Sequence, residues 1–475
     1  MKKNNVKTIA LIGAGYSGTV TAINLLRLAH GLDAPFRLVL IDTAASYGKG
    51  LAYSTQDDNL VLNVPTGNMS AFPDKPDDFL EFCNGMDTSL VPGSFVFRRV
   101  YGEYLETRLR EAIADNPDTL VALQDFVIAI TQRDAGYILK LRDGDPLEAD
   151  IVVLAFGHFP PRPLAEILGG NASGLDLPKD TCLDNPWDIR ALDRLPVDKD
   201  VLIVGTGHTA IDTLFRLVSC SSLRKIYLVS RHGHTPNGHR KAGEFVKMPL
   251  LTQEVEKTVR AVLDEKPTIR ALFSSIRKLA QRYAALQINW RDVISSLRQI
   301  TPEIWQKLPA GERARFLRHV VHHWDVMRHR LAPVAIRRLD GLMAAGLVEI
   351  IAGRVIQLRA TPGGKDISAS IKLRGSDQRR ELVIGSVINC SGPSYDIRRI
   401  HNPLLRQLAD EGTLHQDEAR IGFAVDENYR CSTAPNLYYI GPMLKARYWE
   451  AIAVPELRVH ALKLAKLLLE RIAQV

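Results

Sequence analysis

Cysteine is scarce and scattered in this 475-residue chain. Cys83, Cys182, Cys220, Cys390 and Cys431 are odd in number and include no C-x-x-C pair. That spacing excludes a disulfide scaffold, a cysteine-based zinc site and a dithiol redox centre, and a reducing cytoplasm is the expected location. Long apolar runs are missing too: none approaches the roughly 18–20 residues that a membrane-spanning helix needs. A large charge of one sign is absent. Lys and Arg total 61 against 53 acids, for a formal net charge of +8. This surplus admits anionic small molecules and does not call for nucleic acid.

What remains is an ordinary globular mix, 46% hydrophobic and 24% charged. At roughly 100–200 residues per domain the length predicts two to four domains. The N-terminal M-K-K-N-N-V-K reads as the approach to a first buried strand rather than as a signal peptide, because the apolar run after it stops at Gly13 with no A-x-A site.

That first strand, Thr8–Ile12, runs into G-A-G-Y-S-G, with Gly13, Gly15 and Gly18 at the turn into an apolar helix. A second strand, Arg37–Ile41, ends in Asp42, 24 residues beyond Gly18. In such a β-α-β unit the first glycine allows the tight turn. The second lets a pyrophosphate approach the backbone, and the third lets helix and strand pack closely. A terminal acid accepts from ribose hydroxyls.

The pattern returns at Asp200–Val204, followed by G-T-G-H-T-A with Gly205, Gly207 and Ala210. Here the second strand, Lys225–Val229, ends in Ser230-Arg231, and Arg231 stands 21 residues past Ala210 where an acid would otherwise sit. An arginine at that place favours a 2′-phosphate, so the second site is expected to take NADPH. Two dinucleotide units in one chain imply a flavin and a nicotinamide with hydride passing between them.

The expected fold is α/β: two Rossmann-like dinucleotide-binding domains, the second inserted in the first, with a helical insertion. Ile151–Gly157 and Ser386–Gly392 read as paired crossovers between the domains. This gives a discontinuous FAD-binding domain over 1–195 and 385–475. A nicotinamide-binding domain covers 196–244 and 331–384, and the helical insertion covers 245–330. In the insertion Val255, Val259, Val262 and Leu263 share one helical face, as do Leu272, Ile276, Leu279 and Tyr283. Thr301-Pro302-Glu303 reads as a cap with proline at the first helical position. The proline-rich stretch 159–199 reads as a linker, and a C-terminal helix is expected after Pro455.

Several further segments stand out: G-K-G-L-A-Y (48–53), L-N-V-P (62–65), N-M-S (68–70), D-D-F-L-E-F (77–82), R-R-V-Y-G-E-Y-L (98–105), N-P-W-D (185–188), W-D-V-M-R-H-R-L-A-P (324–333) and W-E-A-I-A-V-P-E-L-R (449–458). With the two glycine motifs, the crossover A-F-G (155–157) and the terminal I-G-P (440–442), the chain resembles the bacterial FAD/NAD(P)-binding flavoproteins related to the N-hydroxylating, class B monooxygenases. The resemblance spans nearly the whole chain, apart from much of the helical insertion.

It implies that Gly13, Gly15, Gly18 and Asp42 hold FAD, that Asn63 to Met69 run along the isoalloxazine, and that Arg98 and Arg99 approach the adenine side. It implies that Gly205, Gly207, Ala210 and Arg231 hold NADPH, and that Gly441 closes the flavin site. The implied activity is NADPH-dependent hydroxylation of a small amine or amino acid by way of a flavin hydroperoxide, with O2 as co-substrate. A flavin-dependent reductase passing electrons to a quinone or other acceptor stays open as an alternative, as does a cofactor-binding sensor without turnover. The segment C-L-D-N-P-W-D (182–188) lacks the histidine of the Baeyer–Villiger fingerprint, which speaks against that chemistry.

Asn63, near the reacting carbon, and His158, after the crossover glycine, are the candidate catalytic residues. Residues 313–338 hold seven arginines and four histidines against one acid, Asp325. This basic run reads either as a solvated helix face or as a patch for NADPH phosphates or an acidic substrate. His319 and His323 are four apart, but without an H-E-x-x-H context no metal site is expected.

Overall fold

The computed structural model describes residues 6–29, 35–44, 47–169, 176–221, 223–240, 248–431 and 434–473. Part of the sequence-derived helical insertion, 245–247, lies outside them.

Fifteen strands form three sheets among the described residues. In chain order they are β1 Lys7–Ile12, β2 Phe36–Asp42, β3 Leu120–Gln124, β4 Val127–Arg133, β5 Gly136–Leu141, β6 Leu147–Ala149, β7 Ile151–Leu154, β8 Cys182–Leu183, β9 Val201–Val204, β10 Ile226–Ser230, β11 Val348–Ala360, β12 Ile367–Leu373, β13 Arg379–Ile384, β14 Ser386–Asn389 and β15 Leu437–Tyr439. The first sheet, in the order β15-β7-β1-β2-β3, is wholly parallel. Its central strands are continuous apolar runs because they are covered on both faces, by helices and by the small antiparallel sheet β4-β5-β6, whose Tyr137, Leu139 and Ala149 share the same core. Ile9, Ala10 and Leu11 in β1 and Val152, Val153 and Leu154 in β7 are fully buried.

The second sheet runs β13-β12-β11-β10-β9-β14-β8. Its parallel part centres on β9, and the long β11 carries an antiparallel extension through β12 and β13. A small antiparallel sheet, β4-β5-β6, fills the connection before β7.

Two strands fall elsewhere than the sequence suggested. β8 and β14, both within the ranges assigned to the first domain, belong to the second sheet, where β14 pairs with β9 from Ser386↔Val201 to Asn389↔Val204. The run S-V-I-N is buried throughout, so its apolar character fits either sheet and only the pairing decides. The crossovers do meet, one segment further on, in an antiparallel bridge between Phe159 and Ser394. Among its described residues the 159–199 linker is irregular apart from β8 and short helices at Leu164–Ile167 and Ile189–Asp193.

The described residues of the helical insertion form six helices: Pro249–Glu265, Ile269–Ala285, Trp290–Ser296, Thr301–Lys307, Ala310–His319 and Val321–Arg328. Val255, Val259, Leu263, Leu272 and Leu279 form its buried stripe. Thr301 is not the cap: its hydroxyl donates back to the Leu297 carbonyl at 2.7 Å, and Ile300 occupies the cap position. The insertion docks on the first unit through Trp305, whose indole N–H donates to the Ala446 carbonyl at 2.9 Å and whose ring lies 4.5 Å from that of Trp449. No described helix is long and apolar enough to cross a membrane.

Candidate functional site

The two glycine motifs form the same construction twice. Gly13 leaves β1 with φ +113°, and a Cβ there would meet the Ala155 carbonyl oxygen at 2.6 Å. Its N–H donates to Ile41 at 2.8 Å, while the Ala155 N–H donates to Ile12 at 2.8 Å. Gly205 leaves β9 with φ +132°, and a Cβ would stand 2.1 Å from the Cys390 carbonyl oxygen. Its N–H donates to Val229 at 2.8 Å, and the Cys390 N–H donates to Val204 at 2.9 Å. In each case a glycine sits where neighbouring strands leave the sheet on opposite sides, the crevice in which open α/β sheets bind ligands. Positive φ and the lack of room exclude any side chain.

At the first cradle a Cβ on Gly18 would overlap the Gly13 carbonyl at 1.9 Å, so the third glycine sets the close packing of the Tyr16–Ala29 helix on the turn. Gly15 is the more open position, its nearest neighbour being the Gly50 Cα at 3.7 Å. Asp42, at the end of β2, accepts from the Ala14 N–H at 2.6 Å and the Ala44 N–H at 3.0 Å. The carboxylate is thereby fixed beside the glycine turn, where its remaining lone pairs suit ribose hydroxyls. At the second cradle Gly207 caps the His208–Cys220 helix and has nothing within 4 Å of its Cβ position, while Ala210 is fully buried behind it. Open space before a helix N-terminus with unpaired first-turn amides fits a pyrophosphate. Arg231 lies just past β10 and is exposed.

Gly441 follows β15 with φ +147°, and a Cβ there would meet the Phe156 carbonyl oxygen at 2.4 Å. Met69 is 2% exposed, a core residue at the end of a 3-10 turn over Thr66–Asn68. The Arg98 guanidinium faces Asp212, on the helix that follows the second cradle, at 2.7 Å. Arg99 pairs with Asp58 and Glu103. His158 is solvent-accessible, with its ring 6.3 Å from that of Tyr395. Enclosure by protein, and secondarily Lys445, lower its pKa to about 4.

Asn63 lines a cavity of about 140 Å³ between the first unit, the segment after β10 and the helical insertion. Asn63, Pro65, Asn68 and Ala453 form one side, and His239, Arg240, Asp292, Arg298, Arg328, His329 and Arg330 form the other. The side chain of Asn63 is not what ties it in place: its backbone carbonyl accepts from His239 Nε2 at 2.9 Å. That bond fixes the tautomer and leaves the lone pair on Nδ1. Burial, then Arg330, lowers the His239 pKa to about 4, so the ring is neutral near pH 7.

The arginines differ in how they are compensated. Arg240 pairs with Asp292, Arg298 with Glu456 at 2.6 Å, and Arg328 with Glu450 at 3.1 Å. Glu450, 1% exposed, also accepts from the Trp324 indole at 2.9 Å, so two of the noted sequence segments meet in space. Arg330 is 6% exposed and faces no carboxylate among the described residues. Its Nε donates to Met327 and its Nη2 to Arg291 and Ser295. Burial, then the neighbouring arginines, lowers its pKa to about 9. An uncompensated buried cation on a cavity wall makes that wall a receptor for an anion.

Sequence reasoning missed His239, Arg240 and Asp292, which lie outside any motif and reach the cavity only through tertiary folding. It marked the basic run 313–338 but not its division. Arg328 and Arg330 face the cavity, Arg315 and Arg318 are exposed, and His322 turns toward the loop after β10.

Residues 10–159 match a family model described as FAD-NAD(P)-binding. Among curated proteins nothing matches. Solved structures with similar folds include L-lysine 6-monooxygenase from Pseudomonas syringae (15% identity, TM-score 0.64, covering 98% of this chain and 99% of that one). Ornithine hydroxylase from Pseudomonas aeruginosa aligns at 16% identity and TM-score 0.61 over 98% and 99%. The FAD-bound cadaverine monooxygenase from Erwinia amylovora aligns at 12% and 0.61 over 96% and 94%. Residues 10–159 thus carry a FAD-NAD(P)-binding domain, and the whole chain shares the two-dinucleotide-domain fold of those structures.

Proposed function

We propose that this chain is a FAD-dependent, NADPH-using monooxygenase that hydroxylates the nitrogen of a small amino acid. The observation that carries the reading is the cavity lined by Asn63, His239 and Arg330, on whose wall Arg330 is buried with no carboxylate partner among the described residues. FAD would lie on Gly13, Gly15, Gly18 and Asp42 and extend along Asn63 to Met69 toward Gly441. NADPH would lie on Gly205, Gly207 and Ala210, with Arg231 at the 2′-phosphate. Bound flavin, reduced by NADPH, supplies the electrons that let O2 deliver one oxygen atom to the amine and the other to water.

The chain's own part is to bind, orient and exclude water. Arg330 would draw the substrate carboxylate into the cavity by a charge-assisted hydrogen bond. The lone pair on His239 Nδ1 would accept from an N–H of the neutral amine and so orient the amine's own lone pair, while the Arg330 charge on the same wall disfavours the ammonium form. Arg298 and Arg328, neutralised by Glu456 and Glu450, give the wall a rigid polar lining without further net charge. The same arginine favours an amino acid over a diamine, because a second ammonium would meet a cationic wall. The family resemblance and the five unpaired thiols support a cytoplasmic enzyme.

The test is NADPH consumption by the flavin-loaded protein in air with a panel of amino acids and diamines, with hydroxylated product and hydrogen peroxide both measured. Amino acids that raise NADPH turnover and yield hydroxylamine support the reading. Steady NADPH oxidation that yields only peroxide with every amine, but reduces a quinone, would establish the reductase instead.

A further inference from the structure

Four histidines meet where the helical insertion touches the loop after β10. His232 and His234 flank Gly233 on that loop, and His322 and His323 sit on the Val321–Arg328 helix. The rings of His232 and His322 stack with centroids 3.6 Å apart and planes 3° from parallel. His234 lies on the far side, 5.9 Å from His232 and 6.1 Å from His322. One ring nitrogen from each of His232, His234 and His322 lies within 4.8 Å of the others.

We propose that His232, His234 and His322 form a binding site for a divalent transition metal ion of the zinc type. Two ring nitrogens, His232 Nδ1 and His322 Nε2, are buried and have no hydrogen-bond partner. Buried polar atoms are normally satisfied, so two orphaned lone pairs in one cluster call for a shared acceptor of electron density. A metal ion bound by imidazole at about 2.0–2.1 Å brings its ligand nitrogens within roughly 3.5 Å of one another, and because each lone pair lies in its ring plane, the His232 and His322 rings would rotate out of their parallel stack to converge on the ion.

The chemistry of the donors selects the ion. Three imidazoles without a carboxylate suit zinc, cobalt or nickel and not magnesium or calcium, which demand oxygen. Arg231 and Arg374 stand near enough to act on these histidines, and their charge weakens any purely electrostatic attraction for a cation. Coordination must therefore come from the nitrogen lone pairs. The fourth position would hold water or His323, whose ring lies 3.9 Å from that of His322. Occupancy would pin the helical insertion to the nicotinamide-side sheet at the mouth of the second cradle. The sequence considered His319 with His323 for this role. His319 is exposed and outside the cluster, and the two loop histidines supply what the helix alone lacks.

The experiment uses the full-length, flavin-loaded protein, treated with chelator, desalted and titrated with Zn2+ and separately with Co2+. Metal content after a second desalting and the visible spectrum of the cobalt form are read. About one equivalent per chain and a cobalt spectrum of low-coordinate nitrogen ligation are expected. His322→Ala and His232→Ala should each weaken binding by more than about 100-fold, beyond what loss of an outer partner causes. His319→Ala should leave it unchanged. Flavin absorbance and circular dichroism check that the variants fold, and His322→Gln serves if the alanine variant does not. Wild-type protein that retains no metal overturns the proposal, as does equal retention by the His322 and His232 variants. So does a result in which these variants only raise the KM for NADPH, since the histidines would then serve a phosphate.

Discussion

Arg98 and Asp212 join the two halves of the molecule. Arg98 opens the Arg98–Ala114 helix beside the first sheet, and Asp212 lies in the first turns of the helix that follows the second cradle. Their nearest atoms are 2.7 Å apart, and both side chains are mostly buried. Asp212 Oδ2 has no aligned hydrogen bond, so the contact is an ion pair. Removing one partner strands the other charge, a loss of about 3 kcal/mol or more. Arg98→Ala and Asp212→Ala should each lower the urea midpoint, and the double variant should lose clearly less than the sum. Additive losses would show that the pair does not couple the halves.

The two cradles should fail separately. Gly13→Ala forces a Cβ to 2.6 Å from the Ala155 oxygen at φ +113°, and Gly205→Ala forces one to 2.1 Å from the Cys390 oxygen at φ +132°. The first variant should be isolated with flavin content reduced at least about tenfold. The second should keep its flavin but lose NADPH-driven reduction by a similar factor. Flavin absorbance and anaerobic reduction rates distinguish these outcomes; a colourless Gly205→Ala protein would contradict the division of labour.

Arg330→Met separates stability from function. A guanidinium buried without a carboxylate partner among the described residues is costly, so the variant should unfold at the same temperature or higher. Its KM for an amino-acid substrate should rise about 10- to 100-fold, the value of a charged hydrogen bond of roughly 1.5–3 kcal/mol. An unchanged KM would remove Arg330 from the substrate site.

Arg231→Ala should lower the preference for NADPH over NADH about tenfold, with kcat/KM for NADH little changed, because only the 2′-phosphate distinguishes the two. Equal losses with both nucleotides would discard the phosphate role.

The buried histidines set an acid limit on stability. Burial holds His460 and His239 near pKa 4 and His329 near 3, each below the 6.5 of an exposed histidine. Between pH 6.5 and 4 the unfolded chain binds these protons and the folded chain does not, so stability falls as pH falls through that window. Asp325 acts oppositely: burial raises its pKa to about 6, and it favours the folded state toward lower pH over the range 3.8 to 6. Three histidines outweigh one acid, so the melting temperature should drop steeply below pH 6.5. His460, 8% exposed, accounts for up to about 3 kcal/mol of this, and His460→Gln should flatten the profile.

The sequence by itself determined the local chemistry. Gly13 and Gly205 follow apolar strands because only glycine turns the chain there, and those glycines were legible from spacing alone. The apolar stripe of the insertion and the final helix, Val454–Ala473, were legible by period. Tertiary structure decided the rest, for a physical reason: a buried strand such as β14 carries no mark of its neighbour, and a charged side chain carries no mark of its partner. No spacing in the sequence announces that Arg98 pairs with Asp212. Arg330 read as one charge in a basic run until burial, and the lack of a carboxylate, set it apart. All five cysteines are free thiols in the fold. Three histidines separated by up to 90 residues show the limit of sequence reasoning most clearly, since only folding brings their ring nitrogens within 4.8 Å.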